Sequence, residues 1–474
     1  MTPDNPDLLI IGAGPAGMSA AIEARRHGLS VLLLDEQASP GGQIYRNIAS
    51  CDAPRLRVLG HDYAAGQALH EAFLNCGAQY LSGAAVWQVT TDKQVHYLHD
   101  GKTHVVRAQR LLIATGAYER PMPIPGWTLP GVMTAGAGQI LLKSAALLPA
   151  HPVVLAGCGP LLYLLAVQYL RAGVTLAALV DTTRHADNLR TWRQLPGALR
   201  GWCDLYKGLN LMAELRRAGV AHYRGARHLQ VEGSQQASAL SFEHRGQHRQ
   251  IASELILLHQ GVVPNTQISW SLRLRHNWHA QQLCWSAERD AWGETSQAGI
   301  FIAGDGGAIG GALAAQQQGR LAALACAGQL QRLSASTLQQ HARPYQRALR
   351  RHLAARPLLD VLYRPLKQNR IPADAVLLCR CEEVSAGELR QQVALGCLGP
   401  NQSKAFSRCG MGPCQGRLCG LSVTEVIAEQ RGVPPAEVGY YRIRAPLKPI
   451  TLAQLASEAP PVTPWSAHEQ HSTH

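Results

Sequence analysis

The feature that most constrains this chain lies in its first forty residues. The apolar run Leu8-Leu9-Ile10-Ile11 leads into Gly12-Ala13-Gly14-Pro15-Ala16-Gly17, then an alanine-rich stretch from Met18 to His27. Gly28 closes that stretch, and Val31-Leu32-Leu33-Leu34 ends at Asp35-Glu36, 23 residues beyond Gly12. The spacing predicts strand, tight turn, helix, strand, which is the context a GxGxxG motif needs to carry meaning. Gly12 permits the turn, Gly14 lets a pyrophosphate approach the backbone, and Gly17 lets helix and strand pack closely. The helix start then offers free N–H groups and a positive dipole end to phosphate, with Pro15 and Ala16 in the same wall. Asp35, with Glu36 as the near alternative, is placed to accept from a ribose hydroxyl. Such a unit lives in a parallel sheet buried on both faces, so an α/β fold with nucleotide-type domains is expected.

Similar strand-and-glycine-turn units recur at Pro152 to Asp181 and Gly299 to Gly311, without any regular short repeat. At roughly 150 residues per domain, 474 residues suggest about three domains. Three further segments fall into place around the first unit. Pro40-Gly41-Gly42-Gln43 follows the acid, and Leu111 to Ile113 run into Ala114-Thr115-Gly116. Gly299 to Ala303 end in Gly304-Asp305 ahead of a helix. In this order they resemble the flavoprotein reductases with two dinucleotide-binding domains, of the glutathione and thioredoxin reductase type, over about residues 7–330. That resemblance implies FAD rather than NAD at the first unit, with Asp305 accepting from a ribityl hydroxyl and Gly304 allowing close approach.

The middle unit departs from the pattern. Gly157-Cys158-Gly159-Pro160-Leu161-Leu162 has leucine where the third glycine belongs, and a side chain there pushes the helix off the strand. A normal NAD(P) site is therefore not expected, although Asp181 remains at a strand end to meet the ribose of an adenine nucleotide. Cys158 reads as a small buried filler. Dithiol chemistry is also missing: no close cysteine pair occurs before Cys379. Electrons must leave the flavin by another route.

Six of the twelve cysteines fall between Cys379 and Cys419. Cys379-Arg380-Cys381 and Cys409-Gly410-Met411-Gly412-Pro413-Cys414 form C-x-C and C-x4-C claws, and four thiolates so arranged suit either zinc or a [2Fe–2S] cluster. Ser385 and Glu388 read as a capping box opening a helix between the claws. Arg380, Arg408 and Arg417 are expected to offset negative charge. The wording Arg408-Cys409-Gly410-Met411-Gly412-Pro413-Cys414-Gln415-Gly416-Arg417 resembles the bacterioferritin-associated-ferredoxin-type [2Fe–2S] module fused to one flavoprotein family. Those are the α (A) subunits of heteromeric opine oxidases, hydrogen cyanide synthases and proline or D-hydroxyproline dehydrogenases. Gly41 to Arg46, Gly159 to Leu162, Leu258 to Thr266 and Tyr441 to Pro449 match the same family, so the resemblance covers nearly the whole chain. It implies that Cys379, Cys381, Cys409 and Cys414 hold a [2Fe–2S] cluster. Cys397 and Cys419 are then packing cysteines, with Cys419 the substitute ligand.

The expected organisation is an FAD domain from 1–120 and 295–330 and a second nucleotide-type domain over 121–294. A helical linker at 331–372, a [2Fe–2S] domain at 373–435 and a tail at 436–474 follow. The resemblance implies an electron-transferring component of an enzyme oxidising a secondary amine or imino acid (D-hydroxyproline, proline or opine class). Its partners would be an FAD-containing β subunit of D-amino-acid-oxidase type and a small ferredoxin-like γ subunit, with a quinone-linked acceptor. The catalytic base would sit in the partner. The competing readings are a stand-alone NAD(P)H-dependent flavin reductase and a nucleic-acid-binding iron–sulfur protein. The net charge of +13 permits the latter, but the basic stretch at Arg347 to Arg351 lacks aromatic stacking residues, so no nucleic acid is expected. No run of about 18 apolar residues occurs and the first residues carry no basic leader. The expectation is a cytoplasmic protein, reaching membranes only through partners. The histidines His468, His471 and His474 belong to a solvated tail.

Overall fold

The computed structural model describes residues 5–184, 194–198 and 201–457, so the tail histidines lie outside the described residues. Its centre is a five-stranded parallel sheet in the order Ile300–Ile302, Arg110–Ile113, Leu8–Ile11, Val31–Leu34, Gln79–Leu81. Leu8–Ile11 and Val31–Leu34 are buried at every position, which explains their unbroken apolar character. Helix Pro15–Arg26 packs along Ala312–Gln329, and a Cβ on Gly319 would lie 2.1 Å from the Ala16 carbonyl oxygen, so only glycine allows that approach. A three-stranded antiparallel sheet (Ala85–Val89, Gln94–His99, Lys102–Arg107) is inserted before Arg110–Ile113.

The middle of the chain builds a second five-stranded parallel sheet, in the order His222–Arg224, Leu176–Asp181, Val153–Cys158, Leu255–Gln260, Val132–Thr134. The fold is thus the expected α/β class with two nucleotide-type sheets. Leu162, at the third glycine position, is not left exposed by its turn. It is fully buried in the core under Pro160–Arg171.

Beyond helix Ala335–His352 the chain forms a small helical unit of Ala386–Ala394, Pro400–Ser407 and Gly420–Arg431. The capping box at Ser385 is present, its hydroxyl accepting from Glu388 N–H while the Glu388 carboxylate accepts from Ser385 N–H. This unit is continuous with the first sheet: Leu389, Val426 and Ile427 share one core with Leu9, Ile113 and Ile302. The stretch expected to begin a tail at 436 instead belongs to that core. Tyr440, Tyr441, Ile443 and Leu447 are all buried, because large apolar side chains gain more from the interface than from solvent. A buried ion pair between Arg370 and Glu425 ties the linker to the last long helix. Among the described residues no helix is long and apolar enough to cross a membrane.

Candidate functional site

A cavity of about 340 Å³ opens at the carboxyl ends of the first sheet, where open α/β sheets bind ligands. Gly12, Gly14, Pro15 and Ala16 line it from the first turn, and Asp35 and Glu36 from the end of the second strand. Gly42 and Gln43, Ala114 to Gly116, and Gly304 with Asp305 complete the wall. All the residues expected to meet the cofactor are therefore in one place except Gly17, whose absent side chain serves packing. A Cβ there would stand 1.9 Å from the Gly12 carbonyl oxygen.

Asp35 is buried and closes the turn: Oδ2 accepts from Ala13 N–H at 2.5 Å and Oδ1 from Gln37 N–H at 2.7 Å. Burial raises its pKa, and these two N–H groups work against the rise. Asp305 Oδ1 similarly accepts from Gly310 and Gly311 N–H at 2.8 and 2.9 Å, fixing the loop before the next helix. Unpartnered polar atoms in the wall suit the cavity to a polar ligand. Thr115 Oγ1 and both amide atoms of Gln267 are buried there without a partner, an arrangement that is costly unless a ligand completes it. No cysteine lines the cavity among the described residues.

Among the lining residues that the sequence does not assign to the cofactor are Gln267, Arg417, Leu447 and Lys448. The last three come from the C-terminal unit. Lys448 pairs with Glu36, Arg417 Nη1 donates to the Leu447 carbonyl at 3.0 Å, and Leu447 N–H donates to the Trp87 carbonyl at 2.7 Å.

At the middle sheet the expectation for Asp181 fails. Its side chain is fully buried, with Oδ2 taking the Tyr163 hydroxyl at 2.5 Å and Oδ1 the Thr183 N–H at 2.8 Å. His222 and Arg224 stand at 3.8 and 3.6 Å. The carboxylate is turned inward and consumed by the protein, so it does not offer a ribose an acceptor. Cys158 is buried beside it, its Sγ donating to the Tyr363 carbonyl at 3.5 Å and its thiol pushed up to about 12 by burial. That suits a filler and not a nucleophile.

The cysteines form two adjoining groups. Cys379, Cys409 and Cys419 bring their sulfurs within 4.8 Å of one another. Cys381 meets Cys414, and burial, with the facing thiol, raises the Cys381 pKa against the Cys414 backbone N–H. A Cβ on Gly412 would lie 2.2 Å from Cys381 Cβ, so glycine is required for the two claws to close. Cys419, read as a packing residue, thus stands at the site. Cys397 is in neither group, its Sγ donating to the Gly399 carbonyl at 3.3 Å. The thiols of Cys409 and Cys419, with Gly410 N–H at 3.5 Å, pull Cys379 down to about 2, while Cys409 is pushed up to about 12. The arginines are not all turned to the thiols: Arg380 stacks on the Trp127 ring, Arg408 pairs with Glu382, and Arg417 faces the cavity.

Fold and cavity together define an oxidoreductase of the flavoprotein class with two dinucleotide-type domains. The family model described as pyridine nucleotide-disulphide oxidoreductase matches residues 6–319, and that described as sarcosine oxidase A3 domain matches residues 377–459. The A-type component of opine oxidase from Agrobacterium tumefaciens (strain Ach5) is 46% identical over 95% of this chain and 91% of its own length. Hydrogen cyanide synthase subunit HcnB of Pseudomonas protegens is 32% identical over 93% of this chain and 96% of its own. The chain belongs to the pyridine nucleotide-disulphide oxidoreductase family, within the group of A subunits of heteromeric amine- and amino-acid-oxidising flavoproteins. The solved L-proline dehydrogenase from P. horikoshii shares the fold, with a TM-score of 0.68 and 18% identity over 95% of this chain and 79% of that one.

Proposed function

We propose that this chain is the electron-transferring component of a heteromeric dehydrogenase acting on a secondary amine or imino acid of the opine, proline or D-hydroxyproline class. It holds FAD in the cavity and a [2Fe–2S] cluster on Cys379, Cys381, Cys409 and Cys414, taken as the pairs Cys379·Cys409 and Cys381·Cys414. FAD exchanges electrons singly or in pairs and the cluster singly, so the two together join a two-electron oxidation to a one-electron carrier. The chain's own residues supply the setting. The Gly12 to Gly17 turn presents N–H groups to the pyrophosphate, Asp35 holds that turn, and Asp305 keeps the opposite loop against the cofactor. Thr115 and Gln267 complete the hydrogen bonding, and the buried first sheet excludes water. The substrate is oxidised on a partner flavoprotein of D-amino-acid-oxidase type, a small ferredoxin-like protein completes the complex, and a quinone, a carrier protein or oxygen takes the electrons.

One observation carries this reading. The cavity and the thiol segment are adjacent in the chain: Arg417, which lines the cavity, lies three residues from Cys414, with its N–H donating to the Cys414 carbonyl at 3.1 Å. A flavin near a sulfur-bound metal, with no cysteine lining its cavity among the described residues, is built to export electrons. The test is anaerobic reduction of the reconstituted complex by candidate amines. Flavin bleaching on the partner followed by appearance of a reduced-cluster signal on this chain is expected. Rapid reduction of the isolated chain by NADH would overturn the reading.

A further inference from the structure

Leu447 and Lys448 of the segment Tyr441 to Pro449 line the cavity, but its first residue lies at the cysteines instead. Tyr441 is 1% exposed. Its hydroxyl donates to Cys409 Sγ at 3.3 Å and lies 3.7 Å from Cys419 Sγ. A phenol in a protein core ordinarily finds an oxygen; this one is aimed at sulfur. The ring is held from several sides. A Cβ on Gly410 would sit 2.4 Å from it and one on Gly416 2.6 Å, and both glycines have positive φ. The Lys404 ammonium stands 4.8 Å over its face, and Tyr440 meets its edge at 5.8 Å. Two glycines within the cysteine segment thus serve to admit one ring. A ring that merely filled space would not need its hydroxyl at Cys409.

We infer that Tyr441 sets the reduction potential of the metal centre by donating a hydrogen bond to the ligand sulfur of Cys409. The inference rests on the cluster assignment proposed above. One-electron reduction leaves the cluster one charge more negative, and much of that charge resides on sulfur. A donor to sulfur therefore stabilises the reduced state more than the oxidised one and raises the potential. Tyr441 is a positioning and tuning residue, not a catalytic one. Because the same strap continues to Leu447 and Lys448 in the cavity wall, it spans the route between the two centres.

The experiment is a potentiometric titration of the full-length, iron-replete chain, followed by electron paramagnetic resonance. Tyr441→Phe keeps the ring in its glycine cradle and removes only the donor. The expected result is full iron content and a lower potential, about tenfold less reduced cluster at a fixed poise, or ~59 mV for a one-electron couple. Tyr440→Phe serves as the control, since the Tyr440 hydroxyl donates to the Gly416 carbonyl at 3.4 Å and not to sulfur; its potential should match the wild type. An iron-replete Tyr441→Phe protein at the wild-type potential would overturn the hydrogen-bond role and leave the cluster standing. Loss of iron from Tyr441→Phe would overturn it too, by making the hydroxyl structural. Wild-type protein carrying zinc and no iron would remove the cluster reading itself and this inference with it.

Discussion

Replacing Gly14 by alanine separates folding from cofactor binding. The backbone at Gly14 has φ −76 and ψ −177, a conformation any residue adopts. A Cβ built there meets nothing in the protein closer than Gly42 Cα at 3.9 Å, which is ordinary contact. The residue is the N-cap of Pro15–Arg26 and makes no side-chain cap, so the cost to the fold is under about 1 kcal/mol. The methyl group instead enters the cavity wall, where the pyrophosphate must approach the first N–H groups of the helix. Charge-assisted hydrogen bonds are worth roughly 1.5–3 kcal/mol each, so weakening two of them costs about 3 kcal/mol, or ~100-fold in affinity. Gly14→Ala should therefore purify with depleted flavin, read as the flavin-to-protein absorbance ratio, and melt within about 4 °C of the wild type after both are stripped of flavin. Gly17→Ala should behave the opposite way, folding poorly because its Cβ would stand 1.9 Å from the Gly12 carbonyl oxygen. A Gly14→Ala protein that holds wild-type flavin at low flavin concentration would refute the placement of the pyrophosphate at this turn.

Serine at Cys379, Cys381, Cys409 or Cys414 should abolish iron binding, while Cys397→Ala and Cys419→Ser retain iron; metal analysis of the six proteins decides, and an iron-free Cys419→Ser would make Cys419 a ligand. Arg370→Met strands Glu425, which is 4% exposed, and should cost about 3–5 kcal/mol; adding Glu425→Gln should restore most of it in denaturant titrations, and a fully stable single variant would contradict the pairing. Lys143 is 3% exposed, with burial lowering its pKa from 10.5 to about 7. Between those values the folded chain binds fewer protons than the unfolded one, so stability rises with pH from about 7 upward, by at most ~1.4 kcal/mol per unit from this group. Lys143→Met should flatten that slope in unfolding curves taken at successive pH values, and an unchanged slope would assign it elsewhere.

The first cofactor site was legible because its chemistry is local. Gly12 to Gly17, Asp35, and the two strand ends at Ala114 and Gly304 each carry their own turn signal, and parallel pairing brings strand ends together automatically. Gln267, Arg417 and Lys448 were not legible, since nothing in a glutamine or an arginine announces which distant sheet it will face. Asp181 misled for a related reason. Its place at a strand end was correct, but Tyr163, one turn into the preceding helix, takes the carboxylate, and a hydroxyl at that position looks like any other helix residue. Cys419 was set aside because spacing identifies claws, whereas the start of Gly420–Arg431 carries this thiol back to Cys379 through tertiary packing. The stretch after 436 reads as a tail because nothing local announces that its apolar residues, Tyr440, Tyr441, Ile443 and Leu447 among them, pack against the first sheet.

The wall supplied by Leu447 and Lys448 bears on when the protein matures. The Gly12 turn leaves the ribosome first, yet the cavity it serves is unfinished until residues near the other end have been made. At roughly 5–20 residues per second the delay is tens of seconds. A flavin bound early would sit in an open cleft, because Leu447 is pinned to Trp87 and Arg417, and Lys448 to Glu36, only when the far end of the chain has been made. Stable flavin retention should therefore be a late, post-synthetic step, and a nascent chain arrested before residue 440 should carry none.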